Sequence, residues 1–234
     1  MEEHYQVRTL SIDIGGSGIK VMILDSQGNP LGERLRLETP QPATPEAVIN
    51  TIAKLIAEAG EFERVSVGFP GVVRRGVVET AANLNPSWIG FNLAAELSKI
   101  LRKPVRVIND ADMQGLGAIT GKGVELVITL GTGFGSALFL DGKLVPNLEM
   151  GHHRFRKNQT YEEQLGRDAL NRVGSKKWNR RIEKAIASLN KLFNYDYLYI
   201  GGGEATKVKI QLPANTKIIP NISGLIGGIA LWRD

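Results

Sequence analysis

Thr9-Leu10-Ser11-Ile12-Asp13-Ile14-Gly15-Gly16-Ser17-Gly18-Ile19-Lys20-Val21-Met22-Ile23-Leu24 is the stretch that decides the fold. Polar and apolar residues alternate from Thr9 to Ile14, the pattern of a half-buried strand with Leu10, Ile12 and Ile14 on one face. Gly15 to Gly18 forms a turn, Ile19 to Leu24 a second strand, and Leu31 to Leu37 a third, an antiparallel start. The same device returns 116 residues later, from Gly15 to Gly131. Leu126 to Leu130 reads as a strand, Gly131-Thr132-Gly133-Phe134-Gly135 as a turn, and Ser136 to Leu140 as a strand that Asp141-Gly142 closes onto Lys143-Leu144-Val145.

Helices fill the spaces between strands. Thr44-Pro45-Glu46 combines a capping hydroxyl, proline at the first helical position and a carboxylate at the positive end of the helix dipole. Val48, Ile52, Leu55, Ile56 and Ala59 follow at helical spacing, and Gly60 stops the run. Val65 to Phe69 is the next strand, Leu93 to Leu101 a helix capped by Asn92, and Val105 to Ile108 a strand that ends at Asn109-Asp110. Thr160-Tyr161-Glu162-Glu163 has capping-box spacing, with Glu163 returning to the Thr160 amide. A longer helix carries Trp178, Ile182, Ala185, Ile186, Leu189, Leu192 and Phe193. Tyr197 to Ile200 is a strand entering Gly201-Gly202-Gly203-Glu204, Lys217-Ile218-Ile219 a last strand, and Ile222 to Leu231 a terminal helix. The expectation is α/β: residues 1-109 with 222-234 form one lobe, residues 110-221 the other, with a cleft between them and a hinge near Asp110.

The 234 residues contain no cysteine, which excludes disulfides, thiolate zinc sites and thiol nucleophiles. The three histidines, His4, His152 and His153, are too few for a His-only metal site. No apolar run is long enough to cross a bilayer, and the polar start Met1-Glu2-Glu3-His4 lacks the pattern of a signal peptide, so the expectation is a cytoplasmic protein without a membrane partner. The net charge of +5 is uneven. From His152 to Ile182, Arg154, Arg156, Lys157, Arg167, Arg172, Lys176, Lys177, Arg180 and Arg181 face only Glu162, Glu163 and Asp168. Such a field attracts polyanions, although a charge run is also an ordinary solvated face.

Several groups suit chemistry on phosphate and hydroxyls. In Gly15, Gly16, Ser17 and Gly18 the backbone can approach a phosphate, Asp13 can hold Mg²⁺ through water, and Lys20 can neutralise charge. Gly131, Thr132 and Gly133 repeat the arrangement. Gly201, Gly202 and Gly203 leave bare backbone for a nucleotide, or simply turn a strand into a helix. Asp110 at a strand tip can accept a proton from an attacking hydroxyl while Asn109 binds a neighbouring one; the alternative is an Asn-Asp helix cap. Glu149 and His152 surround Gly151 and can grip a polyol, or form a surface pair.

Together these segments, in order and over nearly the whole chain, resemble the ROK family of repressors, open reading frames and sugar kinases. Asp13 to Ser17 resembles its first phosphate motif, Leu130 to Gly133 its second, Asn109-Asp110-Ala111 its catalytic segment, Glu149-Met150-Gly151-His152 its sugar motif, and Gly201-Gly202-Gly203 its adenosine motif. The resemblance implies a two-lobed actin-like ATPase (ribonuclease H-like) fold with a central cleft. It also implies Asp110 as general base, Mg²⁺ as cofactor, and glucose held by Asn109, Asp110, Glu149 and His152. A further family glutamate corresponds to Glu162 or Glu163; the cap takes Glu163, so Glu162 is chosen. Pro70-Gly71-Val72 and Asn83 to Trp88 resemble the loops over the sugar, which brings in Gly71, Thr80 and Asn85.

Many members follow the Gly-His with a three-cysteine zinc motif. This chain has none, so no zinc is expected and His152 must be positioned by packing and hydrogen bonds. Gly151 to Lys157 and Lys176 to Arg181 instead resemble the branch of the family that uses polyphosphate. A track of Arg154, Arg156, Lys157, Arg167, Lys176, Lys177, Arg180 and Arg181 would bind such a chain with counterion release. The expected partners are glucose and polyphosphate or ATP, in a homodimer. The alternatives are a strictly ATP-dependent hexose kinase, a non-catalytic sugar-sensing regulator, and a basic nucleic-acid-binding module. The regulators of the family carry an N-terminal helix-turn-helix, for which the early start of the core motifs leaves no room.

Overall fold

The computed structural model describes residues 7–233; His4 lies outside them. Residues up to Gly117 together with those from Gly224 onward form one compact unit, and Ala118–Ser223 the other. Among the described residues no helix is long and apolar enough to cross a membrane.

In the first unit β1 (Thr9–Ile14) and β2 (Ile19–Leu24) form the expected hairpin, and β3 (Leu35–Leu37) pairs with β2. Helix α1 (Pro45–Ala59) is capped by the Thr44 hydroxyl, which accepts from the Ala47 amide at 3.3 Å, and buries Val48, Ile52 and Leu55. Next come β4 (Arg64–Phe69), a small hairpin of β5 (Val73–Arg74) and β6 (Val77–Val78), α2 (Leu93–Leu101), β7 (Val105–Asn109) and α3 (Asp110–Leu116). The sheet order is β3-β2-β1-β4-β7, with β1, β4 and β7 parallel. Leu10, Ile12, Ile14, Phe69 and Trp88 centre the core, each burial contributing roughly 1.5–3 kcal/mol. The Trp88 ring packs on Phe69 at 4.9 Å, and its indole N–H donates to the Ala43 carbonyl at 2.8 Å.

The polar face of β1 does not meet solvent. Thr9 and Ser11 are fully buried, because the C-terminal segment covers that side of the sheet. Ser11 donates to the Leu225 carbonyl and Ser66 to that of Gly228, both at 2.6 Å, so neither hydroxyl is buried unpaired. The expected terminal helix is a short α-helix, Ser223–Ile226, that continues as a 3₁₀ helix, Gly227–Trp232. Gly227 lies against the Met113 carbonyl and Gly228 against the Ser11 hydroxyl, an approach that leaves no room for side chains. The Arg64 and Arg106 guanidinium groups lie over the Trp232 ring, 5.0 and 4.4 Å from its centroid. The same packing places α3 in the first unit, where the sequence expectation began the second lobe at Asp110.

The second unit repeats the plan. It comprises β8 (Val124–Leu130), β9 (Phe134–Leu140), β10 (Lys143–Val145), the small pair β11 (Arg154–Arg156) and β12 (Gln159–Thr160), helices α4 (Tyr161–Leu165), α5 (Arg167–Val173) and α6 (Ser175–Phe193), then β13 (Tyr197–Gly201) and β14 (Thr216–Ile218). Its sheet order, β10-β9-β8-β13-β14, is by rank the order of the first sheet, with β8, β13 and β14 parallel. The repeat read from two glycine turns therefore extends to whole sheets. Phe134 and Gly135, read as turn, begin β9. Trp178 is fully buried and donates to the Leu165 carbonyl at 2.8 Å, which locks α6 onto α4. Glu125, also fully buried, collects the amides of Thr120, Gly121 and Lys122 and the Tyr199 hydroxyl at 2.7–3.1 Å. Burial, then the Glu125 carboxylate it bonds, push the Tyr199 phenol up to about 12.

Candidate active site

The parallel strands β1, β4 and β7 end together, and the carboxyl ends of such strands are where open α/β sheets place ligands. Asp13, next to last in β1, lies opposite Gly68 of β4. A Cβ added at Gly68 would stand 3.3 Å from the Asp110 Cα and 3.6 Å from its Cβ. The bare backbone at Gly68 thus lets α3 begin directly over β4, which brings Asp110 beside the end of β1.

Asn109 caps α3. Its side-chain oxygen accepts from the amides of Ala111 at 2.8 Å and Asp112 at 3.1 Å, while its Nδ2 donates to the Gly71 carbonyl at 3.2 Å. The oxygen is therefore committed to the backbone, and one amide hydrogen remains beyond the bond to Gly71. The half-buried Asp110 accepts from the Ala111 amide at 2.8 Å through one oxygen. Both the cap reading and the strand-tip carboxylate reading of Asn109-Asp110 describe the same arrangement.

Lys20 faces Asp13 across the hairpin, and the two form an ion pair of 2.6 Å. The turn itself closes through the Gly15 amide on the Gly18 carbonyl at 3.0 Å, leaving Gly16 and Ser17 at its tip. Two residues absent from the sequence expectation brace it. Thr39 donates to the Gly15 carbonyl at 2.5 Å, and the Arg36 Nη2 to the Ser17 carbonyl at 3.0 Å. Thr80 accepts from the Val72 amide at 2.9 Å, which ties the loop at Gly71, and Asn85 caps the 3₁₀ turn Pro86–Trp88 by accepting from Ser87 at 2.9 Å.

In the second unit Gly131, Thr132 and Gly133 form the tip between β8 and β9. The Gly131 carbonyl accepts from the Arg167 amide at 2.9 Å, and the Glu162 carboxylate accepts from the Phe134 amide at 3.2 Å. Glu149 and His152 lie 3.4 Å apart at Oε2 and Nε2. Burial pushes the Glu149 carboxyl above the usual range, the His152 imidazole opposes this, and the neighbouring Glu162 adds to it. These three side chains thus form one group. Glu163 completes the capping box, accepting from the Thr160 amide at 2.7 Å, and is turned to that task. Glu162 is the glutamate that joins Glu149.

The Gly201-Gly202-Gly203 turn packs on the backbone of Leu130. Gly202 has φ +86°, and a side chain there would collide with the Leu130 carbonyl. Gly202→Ala combines strain with overpacking, each typically about 1–3 kcal/mol. It is expected to lower the melting temperature by roughly 4–24 °C in thermal unfolding; an unchanged transition would contradict the packing. Glu204 follows, nearly buried, with Arg167 and Lys207 each at 2.6 Å. Burial acts to raise its pKa, but the bonds from Lys207 and Arg167 together hold it below the ordinary range. Arg167, expected on a basic track, shares the Glu204 carboxylate with Lys207.

The other basic residues stand differently. Arg154, Lys157, Lys176, Lys177 and Arg180 are exposed, and Arg156 and Arg181 half-buried. Burial, then Arg156 and Arg172, lower the Arg181 pKa, so the three guanidinium groups lie close together. The Gln164 and Glu163 carbonyls hold Arg181 and Arg172 at 3.1 and 3.0 Å.

Two like-ordered sheets, each opened by a glycine-tipped hairpin, with a carboxylate at the strand ends of the first, define the actin-like ATPase fold. Residues 9–166 match the profile of the ROK family, and this chain belongs to it. It is 37% identical over 240 residues to the polyphosphate glucokinase of Mycobacterium tuberculosis (strain CDC 1551 / Oshkosh), covering 92% of this chain and 88% of that protein. The polyphosphate glucokinase of Mycobacterium leprae (strain TN) is 35% identical, covering 94% and 73%. Among solved structures, the inorganic polyphosphate/ATP-glucomannokinase from Arthrobacter sp. strain KM superposes with a TM-score of 0.88 at 39% identity, covering 97% of this chain and 100% of that one. The ROK family glucokinase from Streptomyces griseus, solved with glucose and AMPPNP, shares the fold at a TM-score of 0.83 and 21% identity, covering 96% and 98%.

Proposed function

We propose that this chain is a glucokinase that transfers a phosphoryl group from inorganic polyphosphate, with ATP as a second donor, to the 6-hydroxyl of glucose. The observation that carries the reading is the placement of Asp110 over Gly68, beside Asp13 and the glycine turn that follows it. A base for the sugar hydroxyl and a cradle for the donor phosphate thereby share one strand end. The names and identities of the relatives above support the same substrates.

Phosphoryl transfer asks for positioning and charge stabilisation more than for covalent chemistry. Asp110 accepts the proton of the 6-hydroxyl as its oxygen attacks in line, and Asn109 keeps the carboxylate at the helix start. Glu149, His152 and Glu162 bind sugar hydroxyls, and the loops at Gly71, Thr80 and Asn85 complete the sugar site. Gly15 to Gly18 and Gly131 to Gly133 hold the donor phosphates, with Gly201 to Gly203 taking the nucleotide when ATP is used. Among the described residues no group of three or more Asp, Glu or His is arranged to hold a metal ion. Asp13, which is ion-paired with Lys20, would hold a divalent cation such as Mg²⁺ together with the donor's own phosphates. Bound there, the cation would neutralise charge on the phosphoryl oxygens. The reading includes a cytoplasmic homodimer that feeds glycolysis, without zinc, nucleic-acid or membrane partners.

Glu149 gives the sugar site a pH signature. Its raised pKa means that the carboxylate protonates at pH values above the usual glutamate range of about 4.3. Protonation removes an acceptor for sugar hydroxyls, so KM for glucose is expected to rise as pH falls through that region and to be flat above it. Glu149→Gln should raise KM throughout and abolish the acid limb; an acid limb unchanged in that variant would assign the titration elsewhere. The function itself is tested by a matrix of donors and sugars. Glucose 6-phosphate should form with long-chain polyphosphate as donor, and a protein active only with ATP would favour the strictly ATP-dependent alternative.

A further inference from the structure

One row of three charged side chains crosses the first hairpin and its edge strand: Asp13 of β1 faces Lys20 of β2, which faces Arg36 of β3. The first two cancel, since Lys20 is bound to Asp13 at 2.6 Å. The lysine that the sequence puts at the phosphate turn therefore brings no net charge to it.

Arg36 does. Its guanidinium rests on Gly18, where an added Cβ would stand 2.7 Å from Nε and Nη2 and 2.9 Å from Cζ. It gives one hydrogen to the Ser17 carbonyl, which fixes the plane of the group against the turn. A guanidinium carries five N–H donors. Among the described residues no carboxylate lies within ion-pair distance of Arg36. The group is accessible at the turn, and its fork matches two oxygens of a phosphate. Gly18 itself does not have the positive φ that would demand glycine; what its missing side chain leaves is the space the guanidinium occupies.

We infer that Arg36 is a donor-binding residue, which grips a phosphate of the polyphosphate or ATP chain at the Gly15 to Gly18 turn, in a position from which a side chain at residue 18 would displace it. The inference rests on the kinase reading above and adds to it the cation that the Asp13–Lys20 pair does not supply.

The test is a double-mutant cycle on Gly18 and Arg36 with two readouts. In steady-state kinetics at saturating glucose, Arg36→Ala should raise KM for both donors by about 10- to 100-fold, as expected for loss of a charged hydrogen-bonded contact. KM for glucose should stay unchanged, and Arg36→Lys should recover part of the loss. Gly18→Ala, which lifts the guanidinium without deleting it, should weaken the donor in the same direction and add nothing once Arg36 is alanine. Calorimetric titration of the same four proteins with tripolyphosphate, without sugar, should repeat the pattern. Donor KM and tripolyphosphate affinity within twofold of wild type in Arg36→Ala would overturn the inference and leave the kinase reading standing. Equal losses in glucose and donor KM would also overturn it, as they mark a structural role. A wild-type protein that phosphorylates no sugar overturns the kinase reading, and the tripolyphosphate titration then still decides whether Arg36 grips phosphate.

Discussion

Asp110→Asn is expected to lower kcat for glucose phosphorylation by roughly 10²–10⁴-fold, the usual contribution of a positioned general base. The substitution keeps the shape of the side chain and the oxygen that accepts from the Ala111 amide, so the start of α3 is preserved. It removes the negative charge and with it the capacity to take a proton. The melting temperature should therefore stay within a degree or two, and KM for glucose should change little. The loss should be the same with polyphosphate and with ATP, because the proton belongs to the sugar. Near-normal turnover in a folded Asp110→Asn protein would move the base to another residue.

The second large effect concerns the donor. Reversing Lys177 and Arg180 to glutamate together alters one exposed face of α6, since residues three apart share a face. Each phosphate contact of a polyanion releases counterions, and the dependence on salt is steep. On the reading that Lys177 and Arg180 lie on a polyphosphate track, their reversal should raise KM for long-chain polyphosphate by roughly 10- to 100-fold at low salt. KM for ATP should move less than about threefold, because a nucleotide is too short to extend along a track. The variant should also flatten the salt dependence of the polyphosphate reaction. Equal losses with both donors would remove Lys177 and Arg180 from the polyphosphate site. Arg167 is a poor choice for this test, as its ion pair with Glu204 joins α5 to the turn after β13.

How much could be read from the chain alone follows the range of the interactions. Local chemistry was legible. The Thr44 cap, the Thr160–Glu163 capping box and the two glycine hairpins depend on residues within a few positions, and the structure places them as their spacing implies. The strand-tip position of Asp110 was legible because an apolar run ends there. Contacts across long separations were not. Ser11 looks like the solvent side of an alternating strand, but its partner is the Leu225 carbonyl, 214 residues on. The same distance hides why the C-terminal segment tightens into 3₁₀ geometry, and why α3 packs with the first unit. Charge runs mislead for a similar reason. Arg167 reads as one cation among nine, yet it is ion-paired with Glu204, 37 residues on. Arg36, in a stretch of mixed charge, carries no motif, and only the register of β3 brings it to the turn.

The most direct measurement follows glucose 6-phosphate by ³¹P resonance in a mixture of purified protein, Mg²⁺, glucose and long-chain polyphosphate, with nucleotides removed. A growing phosphomonoester signal that Asp110→Asn suppresses is the expected result. No signal from polyphosphate with the wild-type protein, or one of equal rate in Asp110→Asn, would contradict the proposed glucokinase.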